Sequence, residues 1–350
     1  MDISHELRDR VQQAIKSGTP LNICGGGSKA FLGRHTPGTP LDMSAHSGIV
    51  EYDPRELVIT ARAGTPLGEI EAALDAASQM LAFEPPHYAP TATLGGTIAC
   101  GLSGPRRPHA GAARDSVLGC RLINGRGEIL KFGGQVMKNV AGYDVSRLMA
   151  GAFGTLGVLL EVSLKVLPRP AASCTLIQEH SVASAIATMS ALRGKPLPLD
   201  AVCYHAGQCH LRLSGSEQGV HHAQTLLGGE VLPHPEIFWH KLREQQLHFF
   251  NNSKPLYRIV AKPDTPALPI SGEWLLDWAG AQRWLLSDQP LEKIRDVVAD
   301  SGGHVTVWRN GNRDEPFQPL AAPLLALQQR IKHSFDPDNI FNRGRMYAEI

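Results

Sequence analysis

Apolar residues in this chain come mostly in short runs cut by glycine and proline, and helical periodicity is confined to a few stretches. Over residues 4–17, Leu7, Val11, Ala14 and Ile15 recur on one face, with Gly18 and Pro20 beyond them as stop signals, which predicts an amphipathic helix. Residues 49–52 and 57–63 flank Asp53-Pro54 and read as strands. Residues 66–77 read as a helix, with Thr65 as N-cap, Pro66 at its first position and Leu67, Ile70 and Leu74 as its apolar stripe. Residues 117–123 and 128–132 read as two strands joined by the turn Asn124-Gly125-Arg126-Gly127. A short helix at 145–149 follows, then a strand entered from Gly154 and closed off by Pro168-Arg169-Pro170, where a domain boundary is expected.

The remainder has a different texture. Strand 175–180, helix 182–192, a hairpin over 201–213 and a helix near 217–227 lead to a helix at 237–249 and a strand at 257–262. Two strands around Ala279-Gly280, helix 291–300, strand 304–309 and a last helix near 321–334 complete it. Strands with helices on one side are an α+β pattern.

Two glycine-dense stretches interrupt this order. In the first, Leu21-Asn22-Ile23-Cys24 runs into Gly25-Gly26-Gly27-Ser28-Lys29-Ala30. Residues without a Cβ let backbone N–H groups turn toward an anion, so the loop reads either as an ordinary turn or as a phosphate site. It is not a P-loop, which needs G-x-x-x-x-G-K-[ST]. Gly25, Gly27 and Ala30 satisfy the relaxed Rossmann form, but Gly33, Pro37, Gly38 and Pro40 follow where a helix would have to open. The second stretch, 85–114, carries too many glycines and prolines for continuous helix or strand. Irregular backbone of that length is usually functional, and its donors need partners that a bound cofactor can supply.

Totals narrow the class. A chain of 350 residues, 43% hydrophobic, can bury the cores of two domains or of three. Lys+Arg 34 against Asp+Glu 33 gives no basic surface for nucleic acid. No apolar run approaches the ~18–20 residues of a membrane span. The N-terminus has no basic region followed by an apolar one, so no signal peptide is read and a cytoplasmic location is expected. The six cysteines form no C-x-x-C, which argues against an iron–sulfur cluster held by this chain. Cys203, His205, Cys209 and His210 are spaced poorly for zinc and well for a hairpin around Ala206-Gly207-Gln208.

The Gly25–Ala30 loop, Thr93-Leu94-Gly95-Gly96, residues 104–119, residues 136–144, Gly154-Thr155-Leu156-Gly157-Val158 and the ending Phe335-Asp336-Pro337 to Asn342-Arg343-Gly344-Arg345-Met346 come in one order. Together they resemble the PCMH-type FAD-binding fold of the vanillyl-alcohol-oxidase superfamily, and within it the family of FAD-binding E subunits of bacterial glycolate oxidases. The resemblance implies an α+β fold: an FAD-binding domain of two α+β subdomains over 1–170, a smaller α+β cap domain over 171–320, and a helix and tail, 321–350, packing back toward the FAD domain.

By the same resemblance, Gly25, Gly26, Gly27, Ser28, Lys29 and Ala30 would hold the FAD pyrophosphate. Thr93, Leu94, Gly95, Gly96, Ala99 and Gly104 would line the diphosphate–ribityl side, with Arg114 and Asp115 near that wall. Gly157 and Val158 would meet the adenine end through backbone atoms. Gly154 and Gly157 read equally well as close-packing positions, and Lys138, Asn139 and Tyr143 read first as fixing a loop. Ser28 stands where some relatives carry histidine, which implies noncovalent FAD. No segment resembles the H-x-G-D-G-N-x-H of related hydroxyacid dehydrogenases; residues 302–306 lack the second histidine and the acid. His87, His109, Arg106 and Arg107 lie in the region where a base and a carboxylate-binding cation are needed, yet the histidines read first as loop residues and the arginines equally as partners of FAD phosphates or of another surface. No catalytic residue and no metal site is assigned.

The implied function is oxidation of glycolate, with D-lactate as a further substrate, to the 2-oxo acid. A catalytic FAD subunit and an iron–sulfur subunit would be the partners, and membrane contact on the inner face of the cell membrane would be made only through them. A stand-alone FAD-dependent alcohol or hydroxyacid oxidoreductase and a non-catalytic structural subunit are the alternatives.

Overall fold

The computed structural model describes residues 1–134 and 144–350. Lys138, Asn139 and Tyr143 lie outside the described residues. The chain divides into two compact units, one of Met1–Ser103, Gly111–Pro168 and Pro319–Ile350, the other of Gly104–Ala110 and Arg169–Gln318.

In the first unit the helix Ser4–Ser17 buries Leu7, Val11 and Ala14 and ends at Gly18, whose φ of 64° suits glycine. The strand Leu21–Cys24 pairs in parallel with Thr39–Asp42. The second of these strands was not expected, because it contains Pro40 and only Leu41 is buried in it. A five-stranded antiparallel sheet runs in the order Ile49–Asp53, Val58–Arg62, Val158–Lys165, Val117–Ile123, Ile129–Gly133. The hairpin between the last two strands turns on Asn124, whose Oδ1 accepts from the N–H groups of Arg126 and Glu128.

Two local expectations in this unit are corrected. The helix Leu67–Ala76 buries Leu67, Ile70 and Leu74 as its pattern requires, but Pro66 stands at the N-cap and Thr65 does not cap it. The Thr65 hydroxyl instead accepts from Gly48 N–H (2.9 Å) and donates to Gly48 O (3.2 Å), tying the helix start to a distant loop. Within the stretch expected to be irregular there is a helix, Leu94–Cys100, capped by Thr93, whose Oγ1 accepts from Gly96 N–H. Glycine normally costs about 1 kcal/mol in a helix. At Gly95 the reason is tertiary: a Cβ there would lie 2.7 Å from Ala63 Cβ.

The second unit is built on an eight-stranded sheet, ordered Glu230–Val231, Ala172–Glu179, Gln208–Gly215, Leu199–His205, Glu273–Asp277, Gln282–Leu286, Leu256–Val260, His304–Arg309. Every pairing in it is antiparallel. One face carries Val202, Leu211, Leu276, Ile259 and Val305 and packs under the helices Val182–Leu192, Glu217–Leu227 and Leu291–Asp300. Alternation places His210, Arg212, Asp277, Arg258 and Trp308 on the opposite face. The hairpin of Leu199–His205 and Gln208–Gly215 turns at Ala206 and Gly207, both with positive φ. The helix expected to reach residue 249 stops earlier, as Pro235–Arg243. Gln245 adopts φ 55° and accepts from Trp308 Nε1 at 2.9 Å, and a 3₁₀ turn, His248–Phe250, follows.

Candidate cofactor site

The glycine segments of the first unit form facing walls of one cleft, with an empty volume of about 1090 Å³ when its open mouth is included. The Leu21–Cys24 strand delivers Gly25–Ala30 to one wall, and the Thr91–Gly96 segment stands against it. A Cβ on Gly26 would overlap the Thr91 carbonyl oxygen, and one on Gly25 would lie 2.5 Å from Thr93 Oγ1. Thr91 Oγ1 donates to Gly26 O at 2.6 Å, locking the contact. Glycine is required at Gly26 because two backbones meet there.

Lys29 is buried at 6% exposure. Its Nζ donates to Ser28 Oγ (3.2 Å) and His87 O (3.3 Å) and lies 5.8 Å from the centre of the Tyr88 ring. Arg345, from the C-terminal tail, also lines the cleft, whereas among the described residues no aspartate, glutamate or histidine does. Burial pushes the Cys100 thiol upward, while the charges of Lys29 and Arg345 pull it the other way, so both cations are felt at the cleft wall.

Of the residues named from sequence, Gly25, Gly26, Gly27, Ser28, Lys29, Ala30, Thr93, Gly95, Gly96, Ala99 and Gly157 line this cleft together. Leu94 and Val158 adjoin it in sequence, but their side chains are in the core. Arg114 and Asp115 sit on the short helix Ala113–Ser116, outside the lining, where Asp115 Oδ2 accepts from Ala112 N–H at 2.8 Å. Gly104 belongs to the second unit, where its carbonyl accepts from Trp278 Nε1. Gly154 and Gly157 both line the cleft and permit close approach: a Cβ would meet Asn342 Nδ2 at 2.7 Å in one case and Ile123 O at 2.9 Å in the other. Sequence reasoning did not assign Asn22, Cys100, Phe153, Asn342 or Arg345 to the site. The one signal for them in the sequence is the terminal Asn342-Arg343-Gly344-Arg345 segment, whose residues carry no role there.

The remaining candidates are engaged elsewhere. His87 Nε2 lies 3.1 Å from Glu71 Oε2 in the first unit. In the second unit, Arg106 Nε and Arg212 Nε hold the two oxygens of Asp200 at 2.6 and 2.9 Å. Arg107 stacks over Trp278 at 4.3 Å. Burial lowers the pKa of His109, against the pull of Asp200.

Residues 4–133 match the family described as FAD binding domain. Over 349 residues, covering 100% of this chain and 99% of the other, the chain is 52% identical to "Glycolate oxidase subunit GlcE" of Escherichia coli (strain K12). The chain belongs to the glycolate oxidase subunit GlcE family. Partial matches extend the relationship. "Glycolate oxidase subunit GlcD" of Bacillus subtilis (strain 168) is 31% identical over 47% of this chain and 33% of its own length. A "D-lactate dehydrogenase" of Anaerostipes hadrus is 34% identical over 40% of this chain and 29% of its own length. Among solved structures, an alkyldihydroxyacetonephosphate synthase superposes with a TM-score of 0.68 over 97% of this chain and 75% of that one. At 14% identity that likeness shows the α+β fold alone.

Proposed function

We propose that this chain is the FAD-binding subunit of a glycolate oxidase complex, holding FAD without a covalent bond in the cleft between its two glycine segments. The carrying observation is the meeting of Gly26 with the Thr91 carbonyl in a cleft whose charged lining, among the described residues, is Lys29 and Arg345. Cationic side chains, a buried hydroxyl and backbone N–H groups that glycine leaves accessible suit an anionic diphosphate. Ser28 offers no histidine or cysteine sulfur for a covalent link, although Cys100 lines the same cleft with its thiol pushed up by burial. Gly25–Ala30 would hold the diphosphate, and Gly95, Gly96 and Gly157 would let the rest of the dinucleotide lie close to the backbone. Bound there, FAD supplies the acceptor for the hydride of a 2-hydroxy acid. Glycolate is the substrate of this reading and D-lactate a further one. A second flavin subunit and an iron–sulfur subunit are its partners.

Among the described residues the cleft lining holds no histidine or carboxylate, which bears on the division of labour. Taking the hydroxyl proton of a 2-hydroxy acid needs a base, and none of the described cleft residues is assigned that role. The same observation favours the second reading, a flavin-holding subunit that stabilises the complex without turning over substrate.

The test is to purify the complex and count flavin per chain in wild type, Gly26→Val and Lys29→Met. Wild type is expected to carry flavin on this subunit and both variants to lose it. Folded wild-type subunit that is colourless and ignores added FAD defeats the proposal. Loss of flavin with assembly and turnover intact selects the structural reading.

A further inference from the structure

We infer that the C-terminal tail completes the cofactor site, with Arg345 as a second phosphate-binding cation and Asn342 as the residue that sets the tail against both cleft walls. The inference rests on the placement of FAD in the cleft.

Asn342 is 5% exposed and bridges segments far apart in the chain. Its N–H donates to Leu21 O at 3.0 Å, its Oδ1 accepts from Ile23 N–H at 2.7 Å, and its Nδ2 donates to Phe153 O at 2.6 Å. Ile23 and Phe153 both line the cleft, so one side chain holds the wall leading to the glycine loop and the wall at 152–157 in register. Gly154, with φ 72°, leaves the room this amide occupies.

Three residues on, Arg345 is oriented by oxygens of the glycine-loop segment. Its guanidinium donates to Arg34 O (2.9 Å), Ala30 O (3.3 Å) and Thr36 Oγ1 (3.5 Å), and its own carbonyl accepts from Arg34 N–H (2.9 Å). Gly33, at φ 75°, has no side chain to obstruct this pairing; a Cβ would lie 2.8 Å from Arg345 O. The fork of donors is thereby fixed beside the loop before any ligand arrives, and guanidinium is the side-chain cation best matched to phosphate oxygens. With Lys29 it balances the two charges of a diphosphate bridge.

The test titrates FAD into the full-length apo-subunit, following quenching of flavin fluorescence, for wild type, Arg345→Met, Arg345→Lys and Lys29→Met at low and high NaCl. Loss of one charge-assisted contact is expected to raise the Kd of Arg345→Met roughly tenfold to a hundredfold at low salt. The gap is expected to narrow as salt rises, and Arg345→Lys, which keeps the charge but not the fork, to recover part of the affinity. Unchanged affinity in Arg345→Met while Lys29→Met binds weakly overturns the inference and leaves the FAD placement standing. A salt-independent defect of equal size in Arg345→Lys and Arg345→Met reduces Arg345 to a brace and likewise overturns it. Unchanged affinity in both Arg345→Met and Lys29→Met defeats the placement of FAD itself.

Discussion

Lys332→Met tests whether the tail is held by a buried ion pair rather than by apolar packing. On the helix Ala322–Phe335, Lys332 is the buried residue, and its Nζ donates to Asp336 Oδ2 (2.6 Å), Thr155 O (2.7 Å) and Phe341 O (2.8 Å). Asp336, with no exposed side-chain surface, also accepts from the N–H groups of Ile340 (3.1 Å) and Phe341 (2.8 Å). Burial lowers the Lys332 pKa and the Asp336 carboxylate opposes that shift, so the cation is kept by its partner. Methionine fills the stem's volume but leaves a buried carboxylate without its counter-charge and two carbonyls without a donor. Breaking a buried pair from one side costs roughly 3–5 kcal/mol. At about 2–4 °C per kcal/mol for a unit of this size, the first unit should melt roughly 6–20 °C lower.

The double variant Lys332→Met/Asp336→Asn separates charge from packing. It removes the stranded charge and keeps one oxygen, enough for one of the two backbone donors that Asp336 serves through separate oxygens, so it should recover about 1 kcal/mol or more of the single variant's loss. Calorimetry on the apo-protein reads both numbers, and FAD titration should show weaker binding in the single variant, because the tail that Lys332 anchors carries Asn342 and Arg345. A single variant melting within 2 °C of wild type (about 1 kcal/mol), or a double variant no more stable than the single, refutes the reasoning.

What was legible in the sequence is what is decided locally. The helices 4–17, 182–192, 217–227 and 291–300 and the hairpin around Ala206-Gly207 follow from periodicity and turn chemistry within a dozen residues. The Gly25–Ala30 loop was legible for the same reason, since an absent Cβ is a property of the residue itself. The helix Leu94–Cys100 was not, because its glycines answer to Ala63 and to the cleft rather than to helix propensity. Thr65 has the chemistry of a cap, yet its hydroxyl is claimed by Gly48, a partner that only the tertiary fold supplies. Arg106 and Arg107 had the right charge for a carboxylate site, but Asp200 and the Trp278 ring engage them in the second unit. Arg345 was hidden by distance: 311 positions separate it from Arg34, and only folding brings the tail to the loop.

Other expected outcomes follow from the same contacts. Asp200→Asn leaves the Arg106 and Arg212 guanidinium groups without the carboxylate they share, at 8% side-chain exposure. A loss of about 3 kcal/mol and faster proteolysis within 104–110 are expected; unchanged melting and cleavage contradict the bridge. Thr65→Val strands the N–H of Gly48, whose carbonyl keeps the Arg62 N–H at 3.1 Å, costing roughly 1–3 kcal/mol by thermal unfolding, and a neutral result would return Thr65 to an ordinary N-terminal position. His210 stacks on Phe238 with ring centres 3.9 Å apart, and burial lowers its pKa from 6.5 to about 4. Between those values the unfolded chain takes a proton that the native state refuses, so its stability contribution is present above pH 6.5 and is lost as pH falls toward 4. At 1.36 kcal/mol per unit the full loss is about 3 kcal/mol. His210→Phe, which keeps a stacking ring and cannot titrate, should flatten the urea-measured stability between pH 7 and pH 4 by that amount relative to wild type, and parallel profiles would show that the imidazole is solvated in the native state.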